Sequence, residues 1–189
     1  MYYIPIIELP VLILLVLIRS LILRRQGINA FVFGVTDKSD FFLVPVILIC
    51  FYSLLAALFN WPFPDFLKNL FWKNSVQILL AVALCTVSLI WFVLTLKSFG
   101  KSFRVGIDTQ TKDKLITNGT FAASRNPIYT AFIFFFIGIF LAYPTIMTLF
   151  FLVLLIAAIH RQILREEKFL REHYGSEYEE YCKKVRRYL

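Results

Sequence analysis

Long apolar runs punctuated by short polar segments dominate this chain. Ile4 to Leu23, Phe41 to Phe59 and Val76 to Leu96 each approach the length of about 20 residues that a helix needs to cross a hydrocarbon core, where every backbone N–H and C=O must be paired internally. A fourth apolar region, Ile128 to Ile159, is too long for one span and too short for two full ones. Tyr143-Pro144 near its middle predicts the solution, because proline breaks a continuous helix and suits a tight turn: two short helices form a hairpin. A hairpin that crosses completely gives five spans, whereas a re-entrant one leaves three, and the C-terminus stays on the same side in both cases. From Arg161 to Leu189 charged and aromatic residues alternate, and Gly175 followed by Ser176-Glu177 predicts a helix end and restart. The aromatic stripe of this tail can pack on a neighbouring loop or lie on the membrane surface. The expected fold is therefore all-α: a polytopic membrane protein with about five transmembrane helices, including a C-terminal helical hairpin, and cytoplasmic amphipathic helices at the end.

Composition supports lipid as the solvent. Apolar residues make up 59% of the chain and phenylalanine alone occupies 21 positions, more than a soluble domain of 189 residues can bury. The net charge of +8 would suggest nucleic acid in a soluble protein, but no stacking groove accompanies it here and no nucleic-acid partner is expected. The cations sit beside apolar runs instead. In the five-span scheme seventeen Lys and Arg fall on one face, against only Lys68 and Lys73 on the other, which places the first face and the C-terminus in the cytoplasm and the N-terminus outside. Asn60 to Asn74, with Trp61, Phe66, Phe71 and Trp72, reads as an interfacial stretch on the outer surface, and Glu8 as an interfacial residue near the outer end of the first span. That first run lacks a basic leader and a small-residue cleavage site, so a retained span is expected rather than a signal peptide. Cys50, Cys85 and Cys182 form no CxxC pair, and no metal-ligand cluster is expected.

Two constellations could carry chemistry. The loop from Lys97 to Arg125 is long for a connection, and it ends in Arg125-Asn126-Pro127-Ile128-Tyr129, where proline can open a helix and the preceding residues can present polar groups at its N-terminus. Gln162 and Glu166 lie at i,i+4 spacing just beyond the last apolar run, so they share a helix face. The topology brings both sets to one cytoplasmic surface. His160 reads as an interfacial cap and His173 as solvent-exposed, while Asp108 and Asp113 can cap turns or touch a ribose.

From about Leu96 onward the chain resembles the integral membrane methyltransferases typified by isoprenylcysteine carboxyl methyltransferase and related to phospholipid methyltransferases. The resemblance rests on Leu115-Ile116-Thr117-Asn118-Gly119-Thr120-Phe121, then Arg125-Asn126-Pro127-Ile128-Tyr129, then the hairpin with Glu166-Glu167, and last Gly175 with Tyr178, Tyr181 and Val185. It divides the chain into an N-terminal three-span region, 1–96, and a methyltransferase-like region, 97–189. It implies an S-adenosylmethionine site with Leu115 and Ile116 along the adenosine, Phe121 against the cofactor, Asn126, Pro127, Ile128 and Tyr129 around the methionine part, and Glu166 on the cofactor's polar groups. Arg125 and Gln162 are the implied substrate-positioning residues. Two positions depart from the family pattern. Asn126 stands where histidine is usual and cannot titrate, and Gln162 stands where the prenylcysteine enzymes hold a substrate carboxylate with arginine. These departures widen the acceptor to a smaller lipophilic molecule, methylated on O, N or S and entering from the bilayer. The alternatives from other classes are an NADPH-dependent sterol-type reductase and a non-catalytic membrane scaffold. A single chain of this size and type points to a prokaryotic plasma membrane, with the endoplasmic reticulum as the other option; oligomeric state has no signal in the sequence.

Overall fold

The computed structural model describes residues 3–25, 43–72, 74–99 and 115–189. Its helices are α1 (Ile4–Arg25), α2 (Leu43–Phe59), a single turn α3 (Asp65–Lys68), α4 (Ser75–Phe99), α5 (Pro127–Ala142), α6 (Ile146–Tyr174) and α7 (Ser176–Lys184), with a 3-10 turn over Gly119–Ala122 before α5. No strand occurs among the described residues. Asp108 and Asp113 lie outside them. Among the described residues α1, α4 and α6 are long and apolar enough to cross a membrane. α2 and α5 have 17 and 16 residues; at a rise of about 1.5 Å per residue they reach about 25 Å, short of the roughly 30 Å core, so the expected five spans rest on these two shorter helices.

The hairpin turn forms as the sequence predicts. Tyr143-Pro144 separates α5 from α6, and Thr145 caps α6 reciprocally: its hydroxyl accepts from the Thr148 N–H at 3.1 Å while the Thr148 hydroxyl accepts from the Thr145 N–H at 3.0 Å. Hydrogen bonds fix the hairpin's depth against α4. Gln77 near the start of α4 donates to the Leu141 carbonyl, and the Phe71 N–H donates to the Pro144 carbonyl at 2.8 Å. At the opposite end the Trp91 indole donates to the Pro127 carbonyl at 3.0 Å, and the Thr120 N–H to the Ser98 hydroxyl at 3.3 Å. The hairpin tip thus reaches the end where α4 begins, beside the aromatic stretch around Trp72, whose ring meets Phe140 edge-on at 6.1 Å. Glu8 departs from its expected interfacial position: it accepts from the Thr86 hydroxyl at 2.7 Å, about midway along α4.

Among the described residues, the pairing of α4 with α5 is the most extensive. In lipid, apolar side chains gain nothing by leaving one hydrocarbon for another, so helices associate through close packing at small residues. Ala81 and Cys85 of α4 share one buried cluster with Ala131 and Ala142 of α5 and lie against the buried Gly138, and Phe92 stacks on Phe132 at 5.4 Å. Gly138 is the point of closest approach, since a Cβ there would strike the Cys85 sulfur and stand 3.1 Å from the Ala81 carbonyl oxygen. Gly138→Val is expected to force α4 and α5 apart and cost about 1–3 kcal/mol, the range for overpacking. A thermal melt in detergent checks this, together with faster maleimide labelling of Cys85; an unchanged melt would refute the close approach.

α6 continues unbroken past its apolar stretch, Ile146 to Ile159, so the first of the two expected tail helices is its polar extension. Gly175, at φ 55°, then allows the reversal into α7 that a side chain would resist. Of the two placements open to the aromatic stripe, the structure takes packing on the loop: Tyr178 and Tyr181 are buried, and the Tyr181 hydroxyl donates to the Phe121 carbonyl at 2.6 Å. Burial pushes that hydroxyl up to about 12, so it keeps its proton and remains a donor.

Candidate functional site

Where α5 begins, α6 leaves its apolar stretch and the C-terminal tail returns, two carboxylates adjacent in sequence organise two polar clusters. Consecutive helix residues project about 100° apart, so Glu166 and Glu167 face different neighbours.

Glu166 is half-buried and accepts two hydrogen bonds on Oε1, from the Tyr129 hydroxyl at 2.6 Å and from the Gln162 amide at 2.9 Å. Among the described residues its Oε2 takes none. Burial pushes the Glu166 carboxyl above the ordinary range, against the opposing pull of the Tyr129 and Gln162 bonds. Tyr129, Gln162 and Glu166, three residues singled out in the sequence, therefore converge.

Glu167 is buried and far more heavily bonded. Arg187 approaches side-on, with Nε 3.1 Å from both carboxylate oxygens and Nη2 2.8 Å from Oε2. Arg125 donates to Oε1 from Nε at 3.2 Å and Nη2 at 3.0 Å, and the Asn126 amide donates to the same oxygen at 3.2 Å. The remaining Arg125 donor, Nη1, serves the Val185 and Cys182 carbonyls at 2.8 and 3.2 Å, and its backbone N–H binds the Arg186 carbonyl at 2.9 Å. Residues 185–187 are thereby laid across the Ser124–Asn126 turn. Asn126 occupies the N-cap position of α5, but its side chain makes no cap bond, being held by Glu167 and the Arg187 carbonyl. Pro127 follows at the first helical position, where its missing N–H leaves nothing unsatisfied.

Burial alone would raise the Glu167 carboxyl, but the hydrogen bonds from Arg187 and Arg125 outweigh it and hold the group below the ordinary carboxylate range. A carboxylate depressed on folding contributes stability above the unfolded value, near pH 4.3, that is lost as pH falls through the lower folded value. Thermal melts of the wild type are expected to drop across that acid window more steeply than those of Glu167→Gln. Parallel curves would show that the cluster does not govern acid stability.

The other sequence-derived positions flank these clusters. Phe121 is buried with its ring edge-on to Phe99 at 4.7 Å; Leu115, Ile116 and Ile128 are half-buried, and Pro127 is buried. His160 lies two turns from Glu167 towards the membrane, its Nδ1 2.7 Å from the Tyr188 hydroxyl. The reading of site residues from sequence did not include Glu167, Arg187, Ser124 or Tyr181. The usable signal was the Glu166-Glu167 doublet together with the Arg186-Arg187 pair, but nothing in the sequence says that a C-terminal arginine folds back onto a helix twenty residues earlier.

Residues 76–177, more than half of the chain, match the family model described as phospholipid methyltransferase. The chain belongs to the phospholipid methyltransferase family. Arg125, Asn126, Tyr129, Gln162, Glu166 and Glu167 all fall within the phospholipid methyltransferase match, while Arg187 lies beyond it. Over 96 residues the chain is 35% identical to proteins named probable protein-S-isoprenylcysteine O-methyltransferase from Oryza sativa subsp. indica and Oryza sativa subsp. japonica, an alignment covering 49% of this chain and 50% of each relative. The chain thus spans about half the length of the curated relatives it matches. No solved structure matches it.

Proposed function

We propose that this protein is an integral membrane S-adenosylmethionine-dependent methyltransferase that acts on a lipophilic acceptor entering from the bilayer. The observation that carries the reading is the convergence of Tyr129 and Gln162 on Glu166 at the polar end of a membrane hairpin, in a chain of this family. The donor set suits the cofactor: a carboxylate with one oxygen unengaged among the described residues, beside a phenol ring, favours a cationic, amine-bearing ligand. S-adenosylmethionine supplies an activated methyl group on a sulfonium cation. Glu166 attracts and orients the positive part of that ligand, and Tyr129 and Gln162 hold the carboxylate in place for it. Leu115, Ile116, Phe121, Pro127 and Ile128 supply apolar wall, and Gln162 faces the acceptor as an uncharged donor. Arg125 and Asn126 act on the frame, because their side chains bind Glu167 and the tail. Methyl transfer needs positioning and a field matched to a charge that disappears, which such a wall with a fixed carboxylate provides.

Isothermal titration of S-adenosylmethionine, S-adenosylhomocysteine and NADPH into nanodisc-held protein tests the cofactor class. Saturable binding of both adenosyl ligands is expected. Binding of NADPH alone, or of none of the three, would overturn the proposal. Incubation with labelled S-adenosylmethionine and candidate prenylcysteine, phospholipid and small lipophilic acceptors then identifies the acceptor by which product carries label.

A further inference from the structure

We propose that the outer face of α6 binds an anionic membrane phospholipid, with the headgroup phosphate in a cavity between α6 and the C-terminal tail and an acyl chain along the helix above it. The cavity, of about 310 Å³, is lined by Leu164, Glu167, Lys168, Arg171, Glu172 and Arg187. Leu164 and Lys168 lie about 200° around α6 from Glu166, so this cavity is separate from the Glu166 cluster.

Two features of this face point to a lipid. The first is continuity with the bilayer. Phe150, Val153 and Ala157 are exposed at helical spacing along the apolar stretch of α6, and the same exposed stripe continues through His160 and Leu164 to Lys168 and Arg171. Leu164 is 45% exposed just past the end of the apolar stretch, an apolar floor leading directly from lipid into the cavity.

The second is charge. The Glu167 carboxylate is already shared between Arg125 and Arg187, so that trio keeps a net positive charge. Lys168 reaches Glu172 only at 4.0 Å with both side chains largely exposed, a contact that is weak in water and yields readily to a stronger anion. Arg171 completes the wall. A phosphate diester fits this set, and on a cytoplasmic surface each nearby Lys or Arg adds appreciable attraction for anionic lipid.

The test compares protein extracted from phosphatidylcholine vesicles containing phosphatidylglycerol, with retained lipid counted by native mass spectrometry. The wild type is expected to retain phosphatidylglycerol over phosphatidylcholine. In Lys168→Gln/Arg171→Gln, whose replaced side chains are exposed and lie outside the Glu166 cluster, apparent affinity should fall roughly thirtyfold at low salt. Lys183→Gln/Lys184→Gln, which removes the same charge from the far end of α7, should retain the lipid. Equal loss in both variants would overturn the proposal in favour of diffuse surface charge, and full retention in the first would overturn it outright. Displacement of the lipid by an equal concentration of inorganic phosphate would assign the cavity to free anions instead.

Discussion

Glu167→Ala is expected to lower the stability of the folded protein by about 3–5 kcal/mol, the cost of stranding buried charge by deleting its partner. Glu167 has 3% of its side chain exposed and Arg125 has 10%, so neither guanidinium nor carboxylate is well hydrated in the cluster. With the carboxylate gone, among the described residues the Arg125 guanidinium keeps only two carbonyls at the end of α7, the Arg187 guanidinium keeps no partner, and the Asn126 amide keeps only the Arg187 carbonyl. The tail from Val185 onward should fray first, because its seating depends on Arg125 and Arg187 together. Thermal unfolding in detergent reads the loss, and limited trypsin digestion at Arg186 and Arg187 reads the fraying. If Glu167→Ala melts with the wild type and its tail stays protected, the cluster is not what holds these elements together.

Glu166→Ala should behave in the opposite way, with little change in melting and a loss of roughly tenfold to a hundredfold in S-adenosylmethionine affinity. The range follows from removing a charge-assisted contact worth about 1.5–3 kcal/mol. The Glu166 carboxyl lies above the ordinary range because burial disfavours its charged form. It therefore loses its charge as pH falls through that raised value, and its attraction for a sulfonium goes with it. S-adenosylmethionine binding should accordingly weaken on mild acidification more than binding of S-adenosylhomocysteine, whose sulfur is uncharged. Titration calorimetry of both ligands across pH, with the wild type and Glu166→Ala, separates the two effects. Identical pH profiles for the two ligands would remove Glu166 from contact with the cationic sulfur.

The sequence and the structure agree where a local physical rule suffices. An apolar run in lipid must satisfy its own backbone, so the long helices were legible, and proline at Tyr143-Pro144 and glycine at Gly175 marked the breaks that the chain makes. Helical periodicity alone placed Gln162 and Glu166 on one face. Residues 100–114, which hold Asp108 and Asp113, fall outside the described part.

Long-range pairing followed no local rule. Glu8 reads as interfacial from its place near the start of α1, yet it bonds Thr86, because the depth of one helix against another is set by packing and not by residue count. The Arg125 guanidinium is directed at Glu167 and the tail, a pairing across 42 and about 60 residues that no local spacing announces. Helix content, hairpin, charge asymmetry and the ordered motifs were thus determined by the sequence itself, through hydrogen-bond satisfaction and periodicity. The division of labour between Glu166 and Glu167 was decided only by the tertiary structure: a 100° step on one helix turns one carboxylate to Tyr129 and Gln162 and the other to two arginines, 42 residues before it and 20 after it in the chain.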